Sequence, residues 1–239
     1  MDKSEIYQVV DSFRKNEQIS AIIAPAFVGQ FGDKVTPEQV IEGLFLLGFT
    51  EVKEVAYGAD VTAVDEAKHY LKHVPVDQPF LATSCCPAWL LMAQAELKEK
   101  AYCISPSSSP MVETATAIRK KYPDTKIVFV GPCSAKKLEA TFADVSQSVD
   151  YVLTFEEINA MFHSRGIILE DLVVVHEFGD ASFDGRGFAI TGGVAAAVEN
   201  VIRRLDPDRV VKMEKAEKLS NCKTMVLMAK AGKRDGYLL

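Results

Sequence analysis

The chain has 239 residues, 48% hydrophobic and 25% charged, so it is long enough for one sizeable core or for two lobes sharing a cleft, and disorder is not indicated. Its 27 basic and 33 acidic residues give a net charge of −6 with no block of like charge, which argues against nucleic acid or an anionic membrane surface as the main partner. No apolar run approaches the roughly 18 residues of a membrane span, and the polar, amphipathic start 1-MDKSEIYQVVDSFRKNEQ-18 is unlike a signal peptide, so the cytoplasm is the default location.

In chain order, short apolar runs rich in β-branched residues alternate with longer amphipathic segments, the pattern of βαβ units. The first strand is expected over 21-AIIAPA-26 and the first helix over 36–48, with Thr36 as N-cap, Pro37 at the first helical position and Gly48 as the stop. A strand over 52-VKEVAY-57, a helix over 62–73, a strand over 80-FLATS-84 and a helix over 87–100 follow. The Pro/Ser-rich loop 101-AYCISPSSSP-110 interrupts the alternation. Beyond it come a helix over 111–122, strands over 126-KIVFVG-131 and 150-DYVLTF-155, a helix over 154–166, strands over 172-LVVVHE-177 and 187-GFAIT-191, and a helix over 192–205. The expected fold is α/β: two lobes of mostly parallel sheet flanked by helices, approximately 1–122 and 123–239, with a cleft between them.

In open α/β sheets the functional groups gather beyond the carboxyl ends of the strands. Those positions hold Ala24 and Pro25, Gly58 to Asp60, Ser84 to Pro87, Pro132 to Lys136 and Thr191 to Gly193. Two of these stretches carry cysteine, 83-TSCCPAW-89 and 131-GPCSAKKLE-139, in a chain whose other cysteines are Cys103 and Cys222. An odd cysteine count in a reducing compartment argues for thiols or ligands over a disulfide framework. A cysteine at a strand-to-helix turn either fills a tight space or becomes a thiolate at a helix N-terminus. Two such turns favour metal, and the lack of C-x₂₋₄-C spacing favours an iron cluster over structural zinc.

Together, T-S-C-C-P-x-W and P-C-x-x-K-K-x-E resemble the first two signature motifs of the catalytic domain of iron-only ([FeFe]) hydrogenases. Further likenesses in family order are 24-APAF-27, 56-AYGADVTAVDEA-67, Ser109-Pro110, 150-DYVLTFEEI-158 and 191-TGGVAAAV-198, so the resemblance covers residues 1–239 as one hydrogenase-like domain. It implies an H-cluster, a [4Fe–4S] cubane joined to a two-iron unit, and an oxidoreductase that interconverts H2 with protons and electrons supplied by ferredoxin or fused ferredoxin-like domains. By the resemblance, Cys86 and Cys133 are cubane ligands and Cys85 passes protons to the two-iron unit. Lys136 hydrogen-bonds a cyanide, Ala24, Pro25, Ser109, Pro110 and Phe188 line the two-iron pocket, and Glu66 and Ser105 are relay positions on the proton route.

Several positions depart from the family pattern. The third cysteine motif is not found, and Cys222, within a helical pattern, does not replace it. No C-x₂-C-x₂-C-x₃-C run of a ferredoxin domain is present either. The expectation is therefore a piece of a longer polypeptide or a short relative, inactive and largely free of iron as given. A non-catalytic H2 or redox sensor, or an iron–sulfur assembly factor, is the alternative. Gly131 stands where the family has methionine, removing a bulky shield and leaving the site looser; Met111 stands for glutamine, and His69 for the outer carboxylate of the proton route.

Other candidates have plainer readings. Gly192-Gly193 could cradle an anion or allow close helix packing, and no G-x-G-x-x-G or Walker pattern is present. The Ser107–Ser109 cluster lacks a G-x-S-x-G elbow, so a hydrolase is disfavoured. Trp89 reads as core, His69, His73, His163 and His176 as solvated or capping by default, and 117-AIRKKYPDTK-126 as a solvated helix end.

Overall fold

A computed structural model describes residues 3–96, 98–176, 179–213 and 237–238. Among them the element order is α1 (Ile6–Arg14), β1 (Ile19–Ile23), α2 (Pro37–Leu47), β2 (Glu51–Glu54), α3 (Val55–His73), β3 (Phe80–Leu81), α4 (Pro87–Glu96), α5 (Pro110–Lys121), β4 (Lys126–Gly131), α6 (Ala135–Glu139), β5 (Tyr151–Thr154), α7 (Phe155–Ser164), α8 (Phe183–Arg186), α9 (Gly193–Leu205), β6 (Lys212–Met213) and β7 (Tyr237–Leu238). Two compact units emerge, and each is discontinuous in sequence: Met1–Gly58 with Met111–Ala181, and Ala59–Pro110 with Ser182–Leu239. The chain thus changes unit inside α3 and at the start of α5, whereas the lobes expected from sequence divide at residue 122.

The first unit is built on a parallel sheet in the order β2-β1-β4-β5. Every residue of ISAII in β1 is buried, as are five of the six in KIVFVG of β4, because both strands lie inside the sheet with helices on its faces. Local signals fix the helix starts. Thr36 and Gln39 form a reciprocal capping box at α2, Thr154 and Glu157 do the same at α7, and Gly48 closes α2 with a positive φ of 121° that a side chain would resist.

The second unit holds a parallel sheet in the order β3-β7-β6 and a core of Ala63, Ala67, Tyr70, Val74, Leu81, Val198 and Ile202. Ala56, Ala59, Ala63, Ala67 and Tyr70 are buried at helical spacing. That spacing extends α3 back to Val55, over residues that the β-branched pattern assigned to a strand.

Two expected strands do not form. Over 172–176 the chain is irregular, with Val173 80% and Val175 72% exposed. Its backbone groups are taken up by side chains of α2: Gln39 Nε2 donates to the Glu170 and Leu172 carbonyls, and the Glu42 carboxylate accepts from the Val175 and His176 N–H groups. Over 187–191 a short 3-10 turn replaces the strand. A Cβ on Gly193 would run into the Gly187 carbonyl, so this glycine allows close backbone approach, and the close-packing reading of Gly192-Gly193 is the one observed.

Candidate functional site

In the first unit the neighbouring parallel strands β1 and β4 end side by side, and the Ala24 N–H donates to the Val130 carbonyl at 2.8 Å. Ala24 and Pro25 therefore lie beside the turn that follows Gly131, with Pro25 opening a 3-10 turn. Phe129 fills the space a side chain at Gly131 would need: a Cβ there would clash with the Phe129 ring, itself 2% exposed. The looseness expected from this glycine is absent within the strand, because the neighbour two residues back on the same face takes up the room.

Cys133 is exposed on that turn, and its Sγ accepts from the Ala135 N–H at 3.3 Å. Lys136, one step into α6, places its ammonium 2.5 Å from Glu139 Oε2, both side chains being largely buried. Sequence reading assigns Lys136 without Glu139; the i, i+3 spacing of the pair was the available signal.

In the second unit the other half of the predicted set is found. The Cys86 carbonyl accepts the first bond of α4, from the Leu90 N–H at 2.9 Å, with Pro87 as the first helical residue. Cys86 is exposed and Cys85 half-buried. Trp89 is half-buried and donates through Nε1 to the Thr83 carbonyl at 2.8 Å, tying α4 to the cysteine turn.

Glu66 sits on α3 with 1% of its surface exposed. It accepts hydrogen bonds from the Ser105 hydroxyl and the Ser84 N–H, and burial, outweighing these donors, pushes its carboxyl up to about 7. Its Oε2 has no partner among the described residues. The Ser84 hydroxyl donates to the Ser105 carbonyl at 2.9 Å, and the Ser105 N–H to the Ala82 carbonyl at 2.8 Å, so the strand-end turn and the serine loop are laced together around Glu66. Ser109 is 8% exposed with an unpartnered Oγ, beside Pro110 at the start of α5. Phe188 packs on the core of this unit from the turn before α9.

Further along α3, His69 Nε2 lies 3.1 Å from Gln78 Oε1, and the His69 ring stacks on His73 with centroids 4.4 Å apart. Gln78 Nε2 donates to the Tyr102 carbonyl, which fixes the amide orientation and leaves Oε1 for His69; His69 Nε2 is then the protonated nitrogen. His73 Nδ1 lies 3.0 Å from the Asp77 carboxylate. Gln78 is a contributor that sequence reading passed over, and His73, read there as solvated or capping, meets the Asp77 carboxylate and the His69 ring.

Cys133, Lys136, Ala24 and Pro25 thus belong to one unit, and Cys85, Cys86, Glu66, Ser105, Ser109, Pro110 and Phe188 to the other. Among the described residues no group of three or more His, Cys, Asp or Glu could hold a metal ion, and no helix is long and apolar enough to cross a membrane. Cys222 and the region of the expected third motif lie outside the described residues.

The family described as "Iron only hydrogenase large subunit, C-terminal domain" matches residues 17–237. Iron hydrogenase 1 of Clostridium pasteurianum is 32% identical over 195 residues, which is 75% of this chain and 34% of that protein. The periplasmic [Fe] hydrogenase large subunit of Nitratidesulfovibrio vulgaris is 29% identical over 202 residues, 74% of this chain and 48% of that protein. The chain therefore spans between about a third and a half of the length of these relatives. Among solved structures, an apo [FeFe]-hydrogenase variant of Chlamydomonas reinhardtii has the same fold, with a TM-score of 0.78 at 21% identity over 99% of this chain and 81% of that one.

Proposed function

The chain belongs to the family of the iron-only hydrogenase large subunit, C-terminal domain, and from that premise we propose that residues 1–239 are the H-cluster domain of an enzyme interconverting H2 with protons and electrons. Cys86 and Cys133 are two thiolate ligands of its [4Fe–4S] cubane, and Cys85 is the terminal acid and base. Lys136 hydrogen-bonds a cyanide of the two-iron unit, sharing with Glu139 an ammonium that has three N–H groups to give. Ala24, Pro25, Ser109, Pro110 and Phe188 line the two-iron pocket. Electrons come from ferredoxin or ferredoxin-like domains, and the protein works in the cytoplasm.

A cubane held by protein takes four thiolates. Of the four cysteines among the described residues, Cys86 and Cys133 are the two assigned to it, so the described residues do not make a complete site for the cluster.

The observation that carries the reading is Glu66. A buried carboxyl that titrates near neutral pH, with one oxygen held by donors and the other free, can take up and release a proton without an ion-pair partner to trap it. The Ser105 hydroxyl, which both donates and accepts, is its first exchange partner. One turn further along α3, His69 stands where the family has its outer carboxylate, with its ring stacked on that of His73 a further turn on, and an imidazole can relay protons.

Anaerobic reconstitution with iron and sulfide tests the division of roles. Iron uptake is expected to be lost in Cys86→Ala and Cys133→Ala and kept in Cys85→Ala. Equal loss in all three of whatever iron the chain takes up would overturn the assignment.

A further inference from the structure

In the first unit, α1 and the ends of α2 and α7 line a half-open cavity of about 650 Å³. Val10, Phe13, Leu47 and Met161 supply apolar wall, and Arg14 and Arg165 stand on its rim. Thr50, which also lines it, precedes β2, so the cavity lies where the strands begin. Ala24, Pro25 and Cys133 follow the strand ends, and the cavity is separate from the site they make. The α1 residues precede residue 17, at which the family match starts.

The guanidiniums of Arg14 and Arg165 have no hydrogen-bonded or ionic partner among the described residues, and both residues are exposed. Carbonyls at the C-terminal ends of α1, α2 and α7 carry partial negative charge. They are nevertheless met by backbone N–H groups of Lys15, Gly48 and Arg165, and neither guanidinium donates to them. The acidic lining residue, Glu17, acts electrostatically on Lys15 and Lys126. Two planar forks of N–H donors therefore remain beside an apolar wall. The volume falls within the range of about 300–1,000 Å³ typical of small-molecule sites.

We propose that this cavity binds an amphipathic organic anion, with its apolar body on Val10, Phe13, Leu47 and Met161 and its carboxylate or sulfonate on Arg14 and Arg165. Guanidinium forks match the two oxygens of such a head group, and the wall removes the attached hydrocarbon from water. The site is independent of iron, and its ligand is recognised whether or not the hydrogenase reading holds.

Anilinonaphthalene sulfonate is the probe, titrated into the full chain by calorimetry with its fluorescence followed in parallel. One molecule per chain is expected to bind. Arg14→Ala and Arg165→Ala should each weaken binding about ten-fold, with Arg14→Lys retaining most of it, since one charge-assisted contact is worth about that factor. The neutral analogue phenylnaphthylamine should also bind about ten-fold more weakly. Ser164→Trp, at an exposed lining position, should block the site. Thermal melts establish that each variant is folded. No binding by the parent chain, an unchanged Kd in both Arg→Ala variants, equal affinity for the neutral analogue, or an open site in Ser164→Trp would each overturn the proposal.

Discussion

Glu42 in the first unit and Glu66 in the second are both buried, 6% and 1% exposed, yet their acidities move in opposite directions. At Glu42 burial is the largest single influence and would raise the pKa, but the His176 imidazole and the Val175 and His176 N–H groups together hold the carboxyl below its usual range. At Glu66 the donors are one hydroxyl and one N–H, no cation helps, and burial wins. The difference teaches that low surface exposure alone does not set protonation: Glu66 lies much deeper than Glu42, and depth together with the number and charge of donors decides whether such a carboxylate is a structural clasp or a group that exchanges a proton.

The largest expected effect comes from removing the charge at Glu66. Its folded pKa, about 7, lies above the unfolded value near 4.5, so the folded state binds the extra proton between these values. Stability is fully present below pH 4.5 and falls as pH rises through 7, by up to about 3 kcal/mol. Glu66→Gln should match the parent chain near pH 5 and exceed it by about that amount above pH 8 in urea titrations. Parallel stability curves for the two proteins would break the comparison at its root.

Glu42 should behave with the opposite sign. Its depressed pKa contributes stability that is present above the unfolded value and lost as pH falls through the folded one. Glu42→Gln should cost about 2 kcal/mol at pH 7 by weakening charge-assisted bonds to two N–H groups and an imidazole, with the deficit shrinking in acid. Amide exchange at Val175 and His176 should rise with it, and unchanged exchange would show that the carboxylate is not what holds 172–176.

Smaller changes sharpen the contrast. Ser105→Ala removes a donor that lowers the Glu66 pKa, so the alkaline loss of stability should extend to higher pH and deepen by about 1 kcal/mol. His176→Gln keeps a neutral donor near Glu42 and should cost less than about 1 kcal/mol, moving the acid limb of the stability curve upward in pH. The midpoint of acid unfolding reads this directly.

The same balance explains what could be read in the residues before the fold was known. β1 and β4 and the caps of α2 and α7 were legible because their signals are local: continuous β-branched runs, Thr with Gln or Glu three residues on, and Gly after the last turn. The segment 172–177 carries the same β-branched signal and misleads, since a strand also needs a ladder partner and here α2 side chains satisfy the backbone instead. α3 begins seven residues before its expected start, because the helical spacing of buried alanines outweighs the preference of Val55 and Tyr57 for strand. Of the candidate site, Glu66 and Ser105 were named from the family resemblance and proved to be hydrogen-bonded to each other; Gln78 and Glu139, with which His69 and Lys136 interact, were not named.

By itself the sequence determined the family, through two cysteine turns of high specificity, and the placement of those turns after parallel strands, because chain order and side-chain chemistry are enough for both. The tertiary structure alone decided that Glu66 titrates near neutrality and Glu42 does not, that Phe129 fills the space over Gly131, and that α1 walls a cavity with two arginines unpaired among the described residues. Each of these depends on desolvation or on free volume, which are set by residues distant in sequence and take a value only once the chain has packed.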